Sequence, residues 1–221
     1  MLKTFKYRLY PTKEQSILLN KHIGASRLVY NLALECKQMA YASNQIKLSY
    51  FDLTKQLPDL KKECTWLKEI NSQSLQASIR NLDNSYKKFF KGAGFPKFKS
   101  KRSRQSFSIP QNVIVKKNLL IVPKFKEGIK ISLHRPTKGT IKSATISVTP
   151  TGKYFVSILC DTKEKLPAKA PIKESTAIGI DLGIKEFAIT SEGEVFENPK
   201  FLRKAQNKLK YVQRKYSKHT P

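Results

Sequence analysis

The spacing of apolar residues changes once along the chain, near residue 95. Up to that point apolar residues recur every three or four positions, as on one face of a helix. The pattern predicts a long helix at residues 13–42 and a strongly amphipathic helix that begins at Ser72 and ends at Gly92 and Gly94. Beyond residue 95, apolar and polar residues alternate in short segments separated by Gly, Pro and Asn, as in β-strands. These segments are residues 105–109, 113–115, 119–122, 129–133, 141–148 and 154–160.

A strand is also predicted at the start of the chain, where residues 2–10 alternate until Pro11 ends the pattern. No other strand lies near it in sequence, so we expect it to join the later strands in a small β-barrel that the helices interrupt. Thr12 and Gln15 have the spacing of a capping box at the start of the first helix. The predicted fold class is therefore α+β. The predicted organisation is a barrel from residues 1–12 and 96–165, an inserted helical lobe at 13–95, a linker at 166–176 and a final domain at 177–221.

The charge of the chain indicates a polyanionic partner. There are 43 Lys and Arg against 16 Asp and Glu, which gives a formal net charge of +27. This imbalance far exceeds what solubility requires, and it favours DNA or RNA as the partner. A membrane surface is the alternative polyanion, but no apolar stretch approaches the roughly 18 residues of a spanning helix, so we expect no membrane partner.

Three cysteines, Cys36, Cys64 and Cys160, lie far apart in apolar surroundings. Such a pattern is typical of reduced thiols in the core of a cytoplasmic protein, and a DNA partner would place such a protein at the nucleoid. Without paired cysteines or clustered histidines, no zinc site is predicted within the chain.

Between Asp83 and Glu127 the sequence has no acidic residue. Cations clustered without carboxylates repel one another unless phosphates or counterions neutralise them, so this segment is predicted to bind nucleic acid. Two aromatic residues, Phe95 and Phe98, lie among the cations and either stack on bases or anchor the segment to the barrel. The candidate binding residues here are Lys87, Lys88, Lys91, Lys97, Phe98, Lys99, Lys101, Arg102 and Arg104.

Two further groups of candidates lie on helices. Gln73 and Gln76 stand at the start of the amphipathic helix, where their amides could contact base edges, with solvation of the helix surface as the alternative. A last helix is predicted after Asn198 and Pro199, with one apolar face and one cationic face. A membrane surface is an alternative partner for that helix, but its apolar residues are few and suited to packing. Its candidate binding residues are Arg203, Lys204 and Lys208.

Asp181 stands at the end of a short apolar run flanked by glycines, and a second strand follows it at residues 187–190. We interpret Asp181 as a metal-binding carboxylate on a buried strand, because burying a carboxylate is costly unless it meets a cation or donors. Sugar-kinase and chaperone ATPases use a similar Gly-Ile-Asp-Leu-Gly turn, but they typically continue with Thr or Ser where this chain has Ile184 and Lys185. The missing hydroxyl favours the other group that uses this turn, the RNase H-like nucleases.

Nucleases of that type hold two Mg²⁺ ions with several carboxylates. The two ions stabilise the attacking water and the leaving oxygen. The nearest acids, Glu186, Glu192, Glu194 and Glu197, fall on the second strand and its turn and are predicted to be surface residues. With Asp181 as its one site carboxylate, the chain should bind Mg²⁺ weakly and cleave nothing.

Four segments occur in the same order as in a known family. They are Tyr7-Arg8-Leu9-Tyr10-Pro11-Thr12, Arg27-Leu28-Val29-Tyr30-Asn31, Phe95-Pro96-Lys97-Phe98-Lys99-Ser100-Lys101, and Gly179-Ile180-Asp181-Leu182-Gly183-Ile184-Lys185-Glu186-Phe187-Ala188. In these segments the chain resembles the OrfB or TnpB proteins of bacterial insertion sequences, compact RNA-guided nucleases related to type V CRISPR effectors.

The resemblance implies a wedge-type barrel interrupted by a helical recognition lobe, followed by the first hairpin and basic helix of an incomplete RuvC-like nuclease domain. It also implies a guide RNA, a double-stranded DNA target whose adjacent motif is read by the barrel and lobe, and Mg²⁺ held by Asp181 as the first of three catalytic acids. The other acids and a zinc ribbon would lie beyond residue 221.

Three functions remain open from the sequence. The chain is the amino-terminal portion of an RNA-guided DNA endonuclease that needs the missing acids, or a truncated and inactive nucleic-acid-binding protein, or an accessory transposition factor without a guide. A discrete RNA that purifies with the protein would separate the guided functions from the last. The sequence defines neither the target motif, nor the guide, nor the oligomeric state.

Overall fold

The computed structural model describes residues 1–166, 173, 175 and 177–217. The chain divides into two compact units, Met1–Leu166 and Pro167–Pro221. Most of the predicted linker at 166–176 lies outside the described residues, which in this stretch are 166, 173 and 175. Within the described ranges, no helix is long and apolar enough to cross a membrane.

The first unit combines strands and helices. Its strands are β1 (Leu2–Tyr10), β2 (Gln105–Ile109), β3 (Ile114–Lys116), β4 (Leu119–Val122), β5 (Phe125–Ser132), β6 (Thr140–Val148) and β7 (Tyr154–Asp161). Its helices are α1 (Lys13–Asn44), α2 (Tyr50–Lys55), α3 (Leu57–Glu63), a 3₁₀ helix (Thr65–Glu69) and α4 (Ser72–Phe89). All helices of this unit thus lie in sequence between β1 and β2.

The strands form one seven-stranded antiparallel sheet in the order β2-β6-β7-β1-β5-β4-β3. The first strand is central: β1 pairs with β7 from Leu2 opposite Asp161 to Leu9 opposite Tyr154, and with β5 at its far end. This pairing confirms that the first strand joins the later ones across the helical segment. The boundaries of the predicted domains stay predictions.

The sequence predicts a small β-barrel, but the described residues form no closed barrel. The edge strands β2 and β3 are not paired with each other in the part of the chain that the structure describes. The first turns of α1 pack on this sheet, because Leu19 and Ile23 share one buried cluster with its residues. Between them, the ring of His22 has its centroid 5.1 Å from that of Phe107 on β2 and 5.5 Å from that of Phe125 on β5. Helix α1 thus packs on apolar residues of the open sheet that a closed barrel would enclose.

Helix α1 begins with the predicted capping box. Thr12 Oγ1 accepts a hydrogen bond from the Gln15 N–H at 3.2 Å, and Gln15 Oε1 accepts one from the Thr12 N–H at 3.1 Å. The helix then runs for 32 residues, and its later turns pack against the other helices in a second buried cluster. That cluster contains Ala25, Val29, Tyr30, Ala33, Leu34, Leu53, Leu57, Leu67, Ile70, Leu75, Ile79 and Leu82. One helix thus connects the sheet with the helical cluster.

The start of α4 is fixed against α1. Asn71 caps α4 by accepting a hydrogen bond from the Gln73 N–H at 3.4 Å. The Asn71 N–H in turn donates to His22 Nε2 at 3.2 Å, while His22 Nδ1 lies 2.9 Å from the Leu18 carbonyl oxygen. Nδ1 therefore carries the proton, and burial lowers the pKa of His22 below its ordinary value. A neutral histidine joins α1, α4 and the sheet at this point.

The second unit contains a three-stranded antiparallel sheet in the order β10-β9-β8, followed by a helix. Its elements are β8 (Ile180–Leu182), β9 (Glu186–Thr190), β10 (Val195–Glu197) and α5 (Phe201–Ser217). A Cβ atom on Gly183 would lie 2.8 Å from the Glu186 carbonyl oxygen, so the turn between β8 and β9 needs a glycine there. The predicted hairpin is present, with Asp181 opposite Ile189.

The sequence indicated that Asp181 lies on a buried strand. This prediction is wrong, because all three residues of β8 are exposed. Among the described residues of this unit, the buried side chains are Ala188 and Thr190, both on β9. Helix α5 has no buried residue. A strand is buried only when a second layer of structure covers its sheet, and three short strands with one helix do not provide that layer here.

Candidate nucleic-acid interface

An irregular segment, residues 90–104, connects α4 to β2 and carries half of the predicted binding residues. We call it the basic loop. Its position is set by one side chain of α1: Asn31 Nδ2 donates to the Lys99 carbonyl oxygen at 3.0 Å, and Asn31 Oδ1 accepts from the Lys99 N–H at 2.8 Å. An amide that satisfies both backbone groups of one residue fixes the loop against the helix as a strand neighbour would.

Lys99 is itself partly buried beneath this contact. Its Nζ lies 3.9 Å from the centroid of the Tyr30 ring, which is a cation–π geometry. Burial lowers the pKa of Lys99 from its ordinary value. The predicted binding residue Lys99 therefore helps to anchor the loop, and its side chain is less accessible to a phosphate than the exposed cations beside it.

The exposed cations of the basic loop lie on both sides of this anchor. Ser100 and Ser103 shape the turn, because Ser103 Oγ donates to the Ser100 carbonyl oxygen at 2.6 Å and the Arg102 N–H donates to Ser100 Oγ at 3.2 Å. Lysine and arginine side chains directed to water with no neighbouring carboxylate are suited to phosphate oxygens. The exposed predicted residues of the loop are Lys91, Lys97, Lys101, Arg102 and Arg104.

Two aromatic residues of the loop, Phe95 and Phe98, have different environments. Phe95 packs edge-on against Tyr86 and Phe89 of α4, with ring centroids 5.7 and 5.2 Å apart. Phe95 therefore anchors the loop, but to α4 and not to the sheet that replaces the expected barrel. Phe98 is 54% exposed, which leaves its ring accessible to a base.

A small cleft lies where the basic loop meets α1, α4 and β2. It has a volume of about 50 Å³, and Arg27, Lys99 and Arg104 are its cationic lining residues. Arg27 is held in place because its Nη1 donates to Gln105 Oε1 at 2.6 Å. The sequence reasoning did not single out Arg27 or Asn31. Their only signal was their position, four residues apart on one helix face inside a segment quoted for the family resemblance.

The end of α4 presents a second group of cations. An open depression of about 490 Å³ is lined by Lys87, Lys88, Lys91 and three polar residues of α4. Lys87 Nζ also pairs with Asp83 Oδ2 at 2.9 Å, so its charge is partly compensated. Lys88 and Lys91 are exposed. The predicted cations of the helix end and of the basic loop are thus contiguous in sequence and belong to one unit.

The two glutamines at the start of α4 differ in exposure. Gln73 is partly buried, and its Oε1 is buried with no hydrogen-bond partner in the structure. Gln76 is exposed one turn further along. Only the amide of Gln76 is freely presented to a base edge.

In the described part of the second unit, the predicted site residues do not belong to a cluster of metal ligands. No group of three acidic, histidine or cysteine side chains that could hold a metal occurs in the described residues. The closest acid in sequence, Glu186, has its Oε1 3.6 Å from Lys185 Nζ. A single exposed carboxylate does not fit a Mg²⁺ site, which needs near-octahedral oxygen ligands. Arg203, Lys204 and Lys208 are exposed on α5.

Comparisons with known proteins agree with this basic, mixed α/β chain. A family model described as a helix-turn-helix domain, HTH_OrfB_IS605, matches residues 1–45. In the structure these residues form β1 and the single helix α1, so they do not fold as two helices joined by a turn.

Two curated proteins match almost the whole chain. One from Streptomyces pristinaespiralis, named "Putative RNA-guided DNA endonuclease", is 36% identical over 224 residues, which is 98% of this chain and 54% of that protein. "Putative RNA-guided DNA endonuclease InsQ" of Escherichia coli (strain K12) is 31% identical over 222 residues, with the same coverage of 98% and 54%. The chain spans about half the length of these relatives.

Among solved structures, the chain matches a protein in a Cas12f1–sgRNA–target DNA complex determined by cryo-EM. The identity is 13%, the TM-score is 0.39, and the match covers 98% of this chain and 61% of the other. A likeness at this level does not establish a shared fold. The family model and the curated relatives do establish the family: the chain belongs to the OrfB/TnpB family of insertion-sequence proteins.

Proposed function

We propose that this chain is the nucleic-acid-binding portion of an RNA-guided DNA endonuclease, and that it binds a guide RNA and a double-stranded DNA target. The observation that carries the proposal is the basic loop. A segment without acidic residues is held on α1 by the Asn31 amide, so that its cations face solvent in a fixed arrangement. Its family membership supports the guided form of binding over an accessory factor without RNA.

The seven-stranded sheet and the helical cluster correspond in this proposal to the wedge domain and the recognition lobe. The second unit is the beginning of an RNase H-like nuclease domain, with Asp181 as one carboxylate of its site. When complete, the site would hold Mg²⁺, which activates water and stabilises the leaving oxygen of a phosphodiester. The described residues supply one of the required acids, so this chain by itself binds nucleic acid without cutting it.

The salt dependence of binding tests the role of the basic loop. The logarithm of the binding constant falls linearly with the logarithm of salt concentration, with a slope of about −0.9 per neutralised phosphate of duplex DNA and about −0.7 for single strands. A variant with Lys97, Lys101, Arg102 and Arg104 changed to Gln should bind more weakly and with a shallower slope, by up to about 3.6 units for duplex DNA and about 2.8 units for single strands.

The matched control removes equal charge elsewhere. Lys13, Lys55, Lys142 and Lys153 are exposed residues outside the basic loop and α4, and changing them to Gln alters the net charge by the same amount. This control should leave the slope within about one unit of the unchanged protein. Equal slopes for the two variants would show that only net charge matters and that the loop is not the interface.

A further inference from the structure

A groove of about 620 Å³ lies at the end of the helical cluster and adjoins the basic loop. It runs between the last turns of α1, the segment that follows α1, the last turns of α4 and the start of the basic loop. Its size falls within the roughly 300–1,000 Å³ that ligand sites occupy. Five aromatic residues line it, namely Tyr41, Tyr86, Phe89, Phe90 and Phe95. We call it the aromatic groove.

The aromatic rings contact one another but differ in exposure. Tyr86 and Phe89 each pack edge-on against Phe95, with ring centroids 5.7 and 5.2 Å apart, and the tilted ring of Phe90 has its centroid 5.3 Å from that of Phe89. Phe90 is 79% exposed and Tyr41 is 53% exposed, so their ring faces are open to a ligand. Exposed aromatic rings grouped in one concave surface mark an interaction site, since burying them in the core would be more favourable.

Cations surround these rings. Lys37, Lys47 and Lys87 line the groove, and its one carboxylate, Asp83, is already paired with Lys87 at 2.9 Å. Lys37 lies with its Nζ 5.2 Å from the Tyr86 centroid and donates to the Leu48 carbonyl oxygen. The groove therefore combines flat apolar surfaces with an excess of positive charge, which an apolar or cationic ligand would not match.

We propose that the aromatic groove binds an unpaired base of a single-stranded nucleic acid, which stacks on Phe90 and Tyr41 while the lysines contact the flanking phosphates. Stacked aromatic residues combined with cations are the general solution for single strands, because every base offers a π face. A base inside a duplex is unavailable, since its faces are stacked on its neighbours. A second copy of this chain does not fit, because a symmetric contact would bring the same cations together.

This inference rests on the proposed function, but its test changes aromatic residues and leaves the loop cations Lys97, Lys101, Arg102 and Arg104 in place. The probes are an RNA dodecamer of mixed sequence without self-complementarity that carries one 2-aminopurine, the DNA dodecamer of the same sequence, and the corresponding DNA duplex. The variant is Tyr41→Ala with Phe90→Ala, both at exposed positions. The control is Phe51→Ala, an equally exposed aromatic on α2 that does not line the groove.

We expect the double variant to lose about tenfold or more in affinity for the single strands, together with the quenching of 2-aminopurine fluorescence that stacking causes. In the double variant, duplex affinity should stay within twofold of that of the unchanged protein, and the salt slope should stay within one unit. Phe51→Ala should behave like the unchanged protein. A larger loss for RNA than for DNA assigns the groove to RNA, and equal losses assign it to either strand.

Unchanged single-strand affinity and quenching in the double variant would overturn the inference while leaving the basic loop as the interface. An equal loss for duplex would also overturn it, as would a self-association of the unchanged protein, measured by sedimentation, that the double variant abolishes. If the unchanged protein binds none of the probes, the proposed function itself fails, which is a distinct result.

Discussion

The contact between Asn31 and Lys99 gives the sharpest prediction about the basic loop. Replacing Asn31 with Ala removes two hydrogen bonds, at 3.0 and 2.8 Å, that hold the loop on α1. Each such bond contributes about 1 kcal/mol net, so the free energy of opening the loop should fall by about 2 kcal/mol. The remaining contacts of the loop, such as Phe95 on α4, should keep the rest of the unit folded.

Amide hydrogen exchange measures this opening directly. A loss of about 2 kcal/mol should speed exchange of the Lys99 amide roughly 30-fold, with smaller increases across residues 97–104. The affinity for RNA should also fall, because cations on a loose loop must be ordered before they bind phosphates. The control is Asn44→Ala, at the exposed end of the same helix. Unchanged exchange at Lys99, or a global loss of protection equal to that in the loop, would refute the reasoning.

The remaining predictions concern stability and the second unit. Because folding lowers the pKa of His22, the folded protein stays neutral at this residue while the unfolded chain binds a proton below about pH 6.5. The stability due to neutral His22 is thus complete above that pH and is lost as the pH falls toward the lowered pKa. His22→Gln should unfold in urea with a flatter pH dependence between pH 7 and 5, and an unchanged slope would contradict this. Gly139 has φ +88°, and a Cβ there would lie 2.2 Å from the Asp161 carbonyl oxygen. Gly139→Ala should therefore cost well over 2 kcal/mol in urea unfolding, against about 1 kcal/mol for Gly152→Ala, which has φ +73° but open space. Similar costs for the two would show that the close approach is absent. Asp181→Asn should change neither Mg²⁺ binding by calorimetry nor RNA affinity of this chain, because one exposed carboxylate does not form a site; a clear loss of either would contradict the account.

Local features of the fold could be predicted from the sequence because they depend on neighbouring residues. Thr12 and Gln15 form the capping box that their spacing indicated, and the amphipathic stripe from Ser72 forms α4. The participation of residues 2–10 in the later sheet could also be predicted, since an isolated strand has to pair somewhere.

Features that depend on distant contacts could not be predicted. His22 packs against both Phe107 and Phe125 of the open sheet, and nothing in the local pattern of any of these residues indicates this contact. The Asn31–Lys99 contact joins residues 68 positions apart. The burial of Asp181 was inferred from an apolar run, but such a run is buried only if other layers cover it, and the described residues of its unit do not.

The basic loop shows the same contrast between features that depend on neighbouring residues and features that depend on distant contacts. Sequence reasoning found the cationic segment from its lack of acids, which needs no tertiary information. It could not separate Lys99, which lies over Tyr30, from the exposed cations beside it, nor Phe95, which anchors the loop, from the more accessible Phe98. Those distinctions follow from contacts with α1 and α4.

The central claim is that this chain binds a guide RNA, and the RNA that purifies with it tests that claim most directly. The chain should be expressed from its own genomic neighbourhood, purified without added nucleic acid, and the bound RNA sequenced. The account predicts one discrete RNA species, transcribed near the gene and lost from the variant with Lys97, Lys101, Arg102 and Arg104 changed to Gln. The absence of RNA, or a mixture that mirrors total cellular RNA, would contradict it.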